Sequence, residues 1–249
     1  IRDRYILDFG DVLEIQLVGQ KSQTIITPIK RDGSISIPDI GKIYLSGLSL
    51  DNAVNTISRK YENSFTDVSV FTTLISIRDI QIIVSGNVFN PGPYTLNGNS
   101  TLFHALAVSG GPSDTGSFRQ IELVRDNEII ETADLYDTFI HGKSNFSTRL
   151  RSGDLIFIRP VLNLVSISGA VKRPGTYELK EDENLSSAIL FANEINNRAD
   201  LSEISLIRLK DGLISKIAIN DPLKFEAILS NDKDKIIVRN YPFRSVEIN

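Results

Sequence analysis

The chain has 249 residues, 41% of them hydrophobic and 23% charged, which is the make-up of folded protein of one or two domains or of several small ones. Its formal net charge of −4 gives no basic field for nucleic acid or anionic lipid. With no Cys and two His, it has no disulfide, no thiol nucleophile and no Cys-based zinc site, and the residues for an all-His metal site are too few.

Ile1-Arg2-Asp3-Arg4 does not resemble a signal peptide, and the missing initiator Met leads us to expect a processed or excised segment. Val12–Val18 alternates, with Leu13, Ile15 and Leu17 on one side, and predicts a strand. Asp32-Gly33 predicts a turn between strand-like Thr24–Ile29 and Ser34–Ile37. Leu50, Val54, Ile57 and Tyr61 fall on one helical face, so Leu50–Tyr61 reads as an amphipathic helix. Val68–Ile77 reads as a closing strand. No run of about 18 apolar residues occurs, so no transmembrane helix lies inside this segment.

From Ser85 the chain begins to repeat itself. "SGNVFNPGPYTLNG" (Ser85–Gly98) returns as "SGAVKRPGTYELKE" (Ser168–Glu181), with seven of fourteen positions identical. Gly86 and Gly169, 83 residues apart, sit inside apolar strand patterns, which predicts a bulge or a close backbone approach. Pro91-Gly92 and Pro174-Gly175 predict type II turns, Pro presetting φ and Gly supplying a positive one. Leu102, Ala105 and Leu106 predict a helix face that returns as Leu185, Ala188 and Ile189. Ser100 or Thr101 caps the first helix, Asn184 the second, and Gly110-Gly111 ends the first. Asp126-Asn127 and Asp211-Gly212 predict hairpins joining Gln120–Arg125 to Ile129–Thr132 and Ile204–Leu209 to Leu213–Ile219. Short strands Leu155–Ile158 and Lys235–Val238 close the copies. An 83-residue period is too long for a solenoid unit and fits a small domain used twice. Short helices packed on short strands give the fold class: α+β, an elongated string of small domains.

"YILDFGDVLEIQLVG" (Tyr5–Gly19) and "RDGSISIPDIGKIYLSGLSLDNAV" (Arg31–Val54) resemble the polysaccharide biosynthesis/export domain of bacterial outer-membrane export proteins of the Wza type. The doubled stretch resembles the β-grasp domain, SLBB, that follows it in that family. The resemblance implies an export domain over 1–79 and two β-grasp domains over 80–162 and 163–249. Gly10-Asp11, Asp32-Gly33, Pro38, Gly41 and Gly47 match the first domain's motif positions. Gly86, Pro91, Gly92, Tyr94, Leu96, Ala105, Leu106, Gly110 and Gly111 match the β-grasp motif, and Gly153-Asp154 the turn before its last strand. Phe9 and Asp67 stand where the family has Pro. In the second copy Asn193-Glu194 replaces Gly110-Gly111, and Asp234-Lys235 replaces the Gly-Asp turn, so a loop that depends on glycine backbone is expected to be lost or changed there. The family's amphipathic membrane-crossing helix is not visible before Asn249, so a longer chain or another mode of insertion is expected.

No phosphate loop, nucleophile elbow or carboxylate pair for glycoside chemistry is recognisable. His104 and His141 read as structural or surface residues, and Lys172-Arg173, Lys233 and Lys235 as solvated; Arg149 and Arg151 could face an acidic chain, with solvent exposure as the simpler reading. The expectation is a protein that is not an enzyme, with no cofactor and no metal. The resemblance implies a periplasmic chain attached to the outer membrane through segments not present here. It also implies polysaccharide cargo, self-assembly into a ring, and an inner-membrane co-polymerase or tyrosine-kinase partner. Head-to-tail contacts repeated about an axis close a ring, and tandem domains then stack as tiers of its wall. The competing expectation is a binding module for a glycan or a protein.

Overall fold

The computed structural model describes residues 5–19, 22–143, 146–210 and 212–241. Residues 1–4 and Asp211 of the second hairpin turn lie outside the described residues.

In the first domain β1 (Val12–Gly19) lies between β2 (Gln23–Pro28) and β5 (Val68–Ser76), antiparallel to both. The alternation in β1 sends Leu13, Ile15 and Leu17 into the core, each at most 2% exposed. α1 (Leu50–Glu62) starts at Ser49, whose side chain accepts the Asn52 N–H, and buries Leu50, Ala53, Ile57 and Tyr61. Asp32-Gly33 does reverse the chain, with the Lys30 N–H donating to the Ser34 carbonyl. The strand that follows, β3 (Ser34–Ile37), does not pair with β2, however. It pairs with β4 (Gly41–Tyr44), because Ile35, Ile37 and Ile43 then share one buried face.

Two five-stranded sheets follow, each with its own core. The first copy comprises β6 (Asp79–Gly86), β7 (Gly92–Asn97), α2 (Leu102–Ser109), β8 (Gly116–Arg125), β9 (Glu128–Ala133), α3 (Leu135–Phe139) and β10 (Leu155–Pro160). The second comprises β11 (Leu164–Gly169), β12 (Gly175–Glu178), α4 (Leu185–Phe191), β13 (Ala199–Lys210), β14 (Leu213–Ile219), a 3-10 turn at Pro222–Ala227 and β15 (Lys235–Asn240). Numbering strands within each copy, both sheets have the order 2-1-5-3-4, with the first and last strands parallel at the centre. This is the β-grasp topology, used twice. The Asp126-Asn127 turn has both residues at positive φ, 52° and 65°, as a tight hairpin of that twist requires.

The opening glycine of each motif has a steric cause. Gly86 and Gly169 take φ of +83° and +89°, and a Cβ there would lie 2.2 Å from the Ile158 carbonyl oxygen and 1.9 Å from that of Val238. The last strand of each copy crosses so close that no side chain fits. The Pro-Gly pairs, by contrast, are not type II turns. Gly92 has φ +153°, far from the ~+80° of such a turn, and Gly175 is not among the glycines of positive φ. Both open strands, pairing with Val84 and Ile167. The reversal is made by the wider loop before them, fastened by the motif tyrosines: the Tyr94 hydroxyl donates to the Asn90 carbonyl and the Tyr177 hydroxyl to that of Arg173, both at 2.7 Å. A Pro at the second turn position followed by a positive φ occurs at Pro38-Asp39, where Asp39 has φ +66°.

Candidate functional site

Three buried aspartates organise the molecule. Asp11, Asp154 and Asp234 are 0%, 1% and 0% exposed. Asp11 accepts from the Tyr5 hydroxyl at 2.6 Å, the Asp8 and Arg78 amides and the Arg78 guanidinium at 2.9 Å. Arg78 follows β5, so this cluster ties the end of the first domain to its beginning. Asp154 takes Nε and a terminal nitrogen of Arg125 at 2.7 and 2.8 Å, and the Arg151 amide at 2.7 Å. Asp234 repeats the arrangement with Arg208 at 2.9 and 2.6 Å and the Asn231 amide at 3.0 Å. Each carboxylate is paired and hydrogen-bonded, the condition under which a buried charge is tolerated.

This corrects the reading of the second copy's closing turn. Its counterpart of Gly153-Asp154 is Lys233-Asp234, one residue earlier than Asp234-Lys235. The aspartate is retained, and Lys233 takes the positive φ (66°) that Gly153 has (91°). The offset of 83 at Arg125 and Arg208 is 80 at Asp154 and Asp234, so a constant offset misaligns this turn. The loop after the second helix is likewise not rerouted: Asn193 and Glu194 take φ of 57° and 71°, matching 84° and 74° at Gly110 and Gly111. The same bonds hold it, the Gly111 N–H to the Leu106 carbonyl and the Glu194 N–H to that of Ile189.

The remaining motif residues hold turns. Gly10, Gly33, Gly41 and Gly47 have positive φ, and Asp32 accepts from the Ser34 amide and hydroxyl and pairs with Lys42. Pro91 and Pro174 precede the second strand of each β-grasp copy. His104 completes a capping box, its Nδ1 accepting the Thr101 N–H at 3.2 Å. His141 lies beside the Phe191 ring, centroids 6.2 Å apart. Lys172 pairs with Glu194 at 3.1 Å.

The junction between the β-grasp copies was not visible in the sequence. Arg119, 6% exposed, donates to Asp134, to the Glu178 carbonyl and through both terminal nitrogens to Glu183, while its guanidinium lies 4.9 and 5.1 Å from the Tyr136 and Phe191 ring centroids. The Glu178 carboxylate accepts from the Ser117 hydroxyl and, at 2.7 Å, from the Phe118 amide. Burial pushes the Glu178 carboxyl above the ordinary range, against the pull of those two donors and of Arg119. The Glu178 amide donates to the Tyr136 hydroxyl at 2.8 Å. Residue 202, the position 83 beyond Arg119, is a serine, so the repeat gave no hint of this arginine's role.

A groove of about 430 Å³ runs along this junction, walled by Phe89, Phe118, Tyr136, Leu164 and Glu178. A second, of about 340 Å³, continues over Phe103, Phe118 and Phe139. The second is walled by apolar residues and glycine; the first also holds two carboxyl residues, Asp114 and Glu178, and the Glu178 carboxylate is engaged by the Ser117 hydroxyl and the Phe118 amide. Among the described residues no group of three or more His, Asp or Glu could hold a metal ion, and no helix is long and apolar enough to cross a membrane.

Comparison with known proteins places these units. Residues 1–74 match the family model of the polysaccharide biosynthesis/export protein, and residues 81–133 and 164–218 each match the SLBB domain. Two curated relatives from Escherichia coli, both described as polysialic acid transport protein KpsD, are 26% identical over 179 residues. The match covers 71% of this chain and 32% of each relative, so the chain spans about a third of their length. The chain belongs to the polysaccharide export proteins, with a polysaccharide biosynthesis/export domain followed by two SLBB domains.

Proposed function

We infer that this chain is the periplasmic part of an outer-membrane export protein for capsular or extracellular polysaccharide, and that it forms the wall of a ring-shaped conduit without catalysing a reaction. The units are the export domain, 1–79, and the β-grasp domains, 80–162 and 163–249. The cargo is a polysaccharide chain, and the likeness to polysialic acid transport proteins suggests an acidic one. Further partners are other copies of the chain, the outer membrane through other segments, and an inner-membrane co-polymerase or its tyrosine-kinase form.

The observation that carries this reading is where the polar chemistry is placed. The buried ionic groups clamp turns to strands and one domain to the next: Arg78 donates to Asp11, Arg125 to Asp154, Arg208 to Asp234, and Arg119 to Glu183 across the junction. Small domains fixed to one another by such junctions suit a wall. A hydrophilic polymer needs a wet passage whose contacts release each unit as readily as they take it. A chain of 249 residues cannot enclose that passage alone, whereas a heterologous contact repeated about an axis can.

The test is the mass of the full-length protein extracted in detergent. A closed ring of fixed copy number is expected. A strict monomer at high concentration contradicts it and favours a binding module acting without a channel.

A further inference from the structure

At the boundary between the first domain and the first β-grasp copy lies a cavity of about 150 Å³ whose walls include Arg78, Arg125, Arg149 and Arg151 and no carboxylate residue. In a chain of net charge −4, four guanidinium groups around one small space call for a cause. Two have one: Arg78 pairs with Asp11 and Arg125 with Asp154. The other two do not. Arg149 donates one terminal N–H to the Asn99 carbonyl at 2.6 Å, and the Arg151 guanidinium has no hydrogen bond or ion pair among the described residues. Of the acids near the cavity, Asp8 is half exposed, feels the Arg151 charge and lies 4.0 Å from Arg78, while Asp126 acts on Arg125. None of the surrounding carboxylates lines the cavity itself.

The second β-grasp copy supplies an internal control. The Arg125 guanidinium donates to the Arg149 carbonyl at 3.1 Å, as that of Arg208 does to the Leu229 carbonyl at 2.7 Å. The Arg151 amide binds Asp154, as the Asn231 amide binds Asp234. The two positions therefore correspond, and the fold uses only their backbone. In the second copy they are Leu and Asn. The charges at 149 and 151 are additions that the β-grasp architecture does not need.

We propose that this cavity is a site for the carboxylate of an acidic sugar unit. Guanidinium forks match a carboxylate in plane and spacing; the fixed Arg78 and Arg125 frame the space, Arg149 keeps N–H groups beyond its one bond to Asn99, and Arg151 has its whole fork to offer. Ile6, 46% exposed, gives the sugar's CH face an apolar neighbour at the rim. The source of the sugar acid rests on the export reading above, and a conduit requires the contact to be weak and salt-sensitive.

The test titrates the full-length protein at low salt, by NMR, with three probes: an oligogalacturonate hexasaccharide, its fully methyl-esterified counterpart, and inorganic phosphate. The acidic hexasaccharide is expected to bind in the millimolar range and its neutral ester not to bind. Arg149→Gln/Arg151→Gln is expected to weaken binding on the order of tenfold, as loss of charge-assisted bonds does. Arg151→Gln alone, at a side chain with no protein partner, keeps the test open if the double variant folds poorly, and is expected to weaken binding about threefold. Equal binding of the ester, equal binding of free phosphate, or unchanged affinity in a folded variant each overturns the site. An acidic oligomer that binds regardless of these arginines removes the site and leaves the export reading intact. Surface display of polysaccharide in cells lacking the gene removes the export reading itself.

Discussion

The two β-grasp copies share strand order, the arginine-to-aspartate clamp and the glycine beneath the last strand, yet differ at the helix-ending pair, the closing turn and the surface around the clamp. Where the first copy has Gly110-Gly111 and Gly153, the second has Asn193-Glu194 and Lys233 in the same left-handed backbone. The difference separates two kinds of glycine. At Gly86 and Gly169 the obstacle is a backbone oxygen, which cannot yield. At Gly111 and Gly153 a Cβ would meet nothing within 4 Å, so only the torsional cost of a positive φ remains, and hydrogen bonds to neighbouring segments hold the backbone there regardless.

The largest effects are expected where the copies agree. Asp154→Ala and Asp234→Ala each strand a guanidinium among buried groups and are expected to destabilise their copy by about 3–5 kcal/mol, read by chemical denaturation. Near-equal losses sharpen the equivalence of the clamps; a copy that tolerates the change breaks it. Gly86→Ala and Gly169→Ala combine a backbone clash with an unfavourable φ and are expected to cost about 3 kcal/mol each. A crystal structure of either variant should show the last strand pushed away.

A smaller effect tests the junction between the copies. Burial holds the Glu178 carboxyl above its ordinary range, so between its unfolded and folded values the native state binds more protons than the unfolded state. This contribution to stability therefore falls as pH rises through that window and levels off above it. Denaturation from about pH 4 upward should show this slope, and Glu178→Gln should flatten it. An unchanged profile would place the proton elsewhere. The smallest effects lie where the copies differ: Lys233→Gly is expected to stabilise by about 1 kcal/mol, and Gly111→Asn to cost less than about 1 kcal/mol. A large loss from Gly111→Asn would mean that the loops differ in more than side chains.

Much of this architecture was legible in the chain because it is written in short-range patterns. The alternation of Leu13, Ile15 and Leu17 and the helical face of Leu50, Ile57 and Tyr61 mark core positions, and the 83-residue offset of Gly86 and Gly169 marks where the last strand of each copy crosses closest. The pairing of β3 with β4 was not legible, since Asp32-Gly33 fixes a reversal but not which strands meet after it. Pro-Gly misled because a dipeptide's turn preference is weaker than the ladder bond that draws Gly92 and Gly175 into strands. The clamps were half visible: Arg125 and Arg208 keep the offset, but a three-residue contraction hides the partner of Asp154. Arg119, Glu178 and Glu183 come together only when the copies dock, and the cavity at Arg149 only when the first domain lies against the next.

Under the proposed function the chain passes its polymer along without altering it, which the length and location of the polysaccharide in cells with and without the gene would reveal. Loss of the gene should leave polymer of unchanged length inside the cell envelope, and restoring it should return that same polymer to the surface with no new reducing ends. Undiminished display without the gene, or chains shortened only when the protein is present, would contradict it.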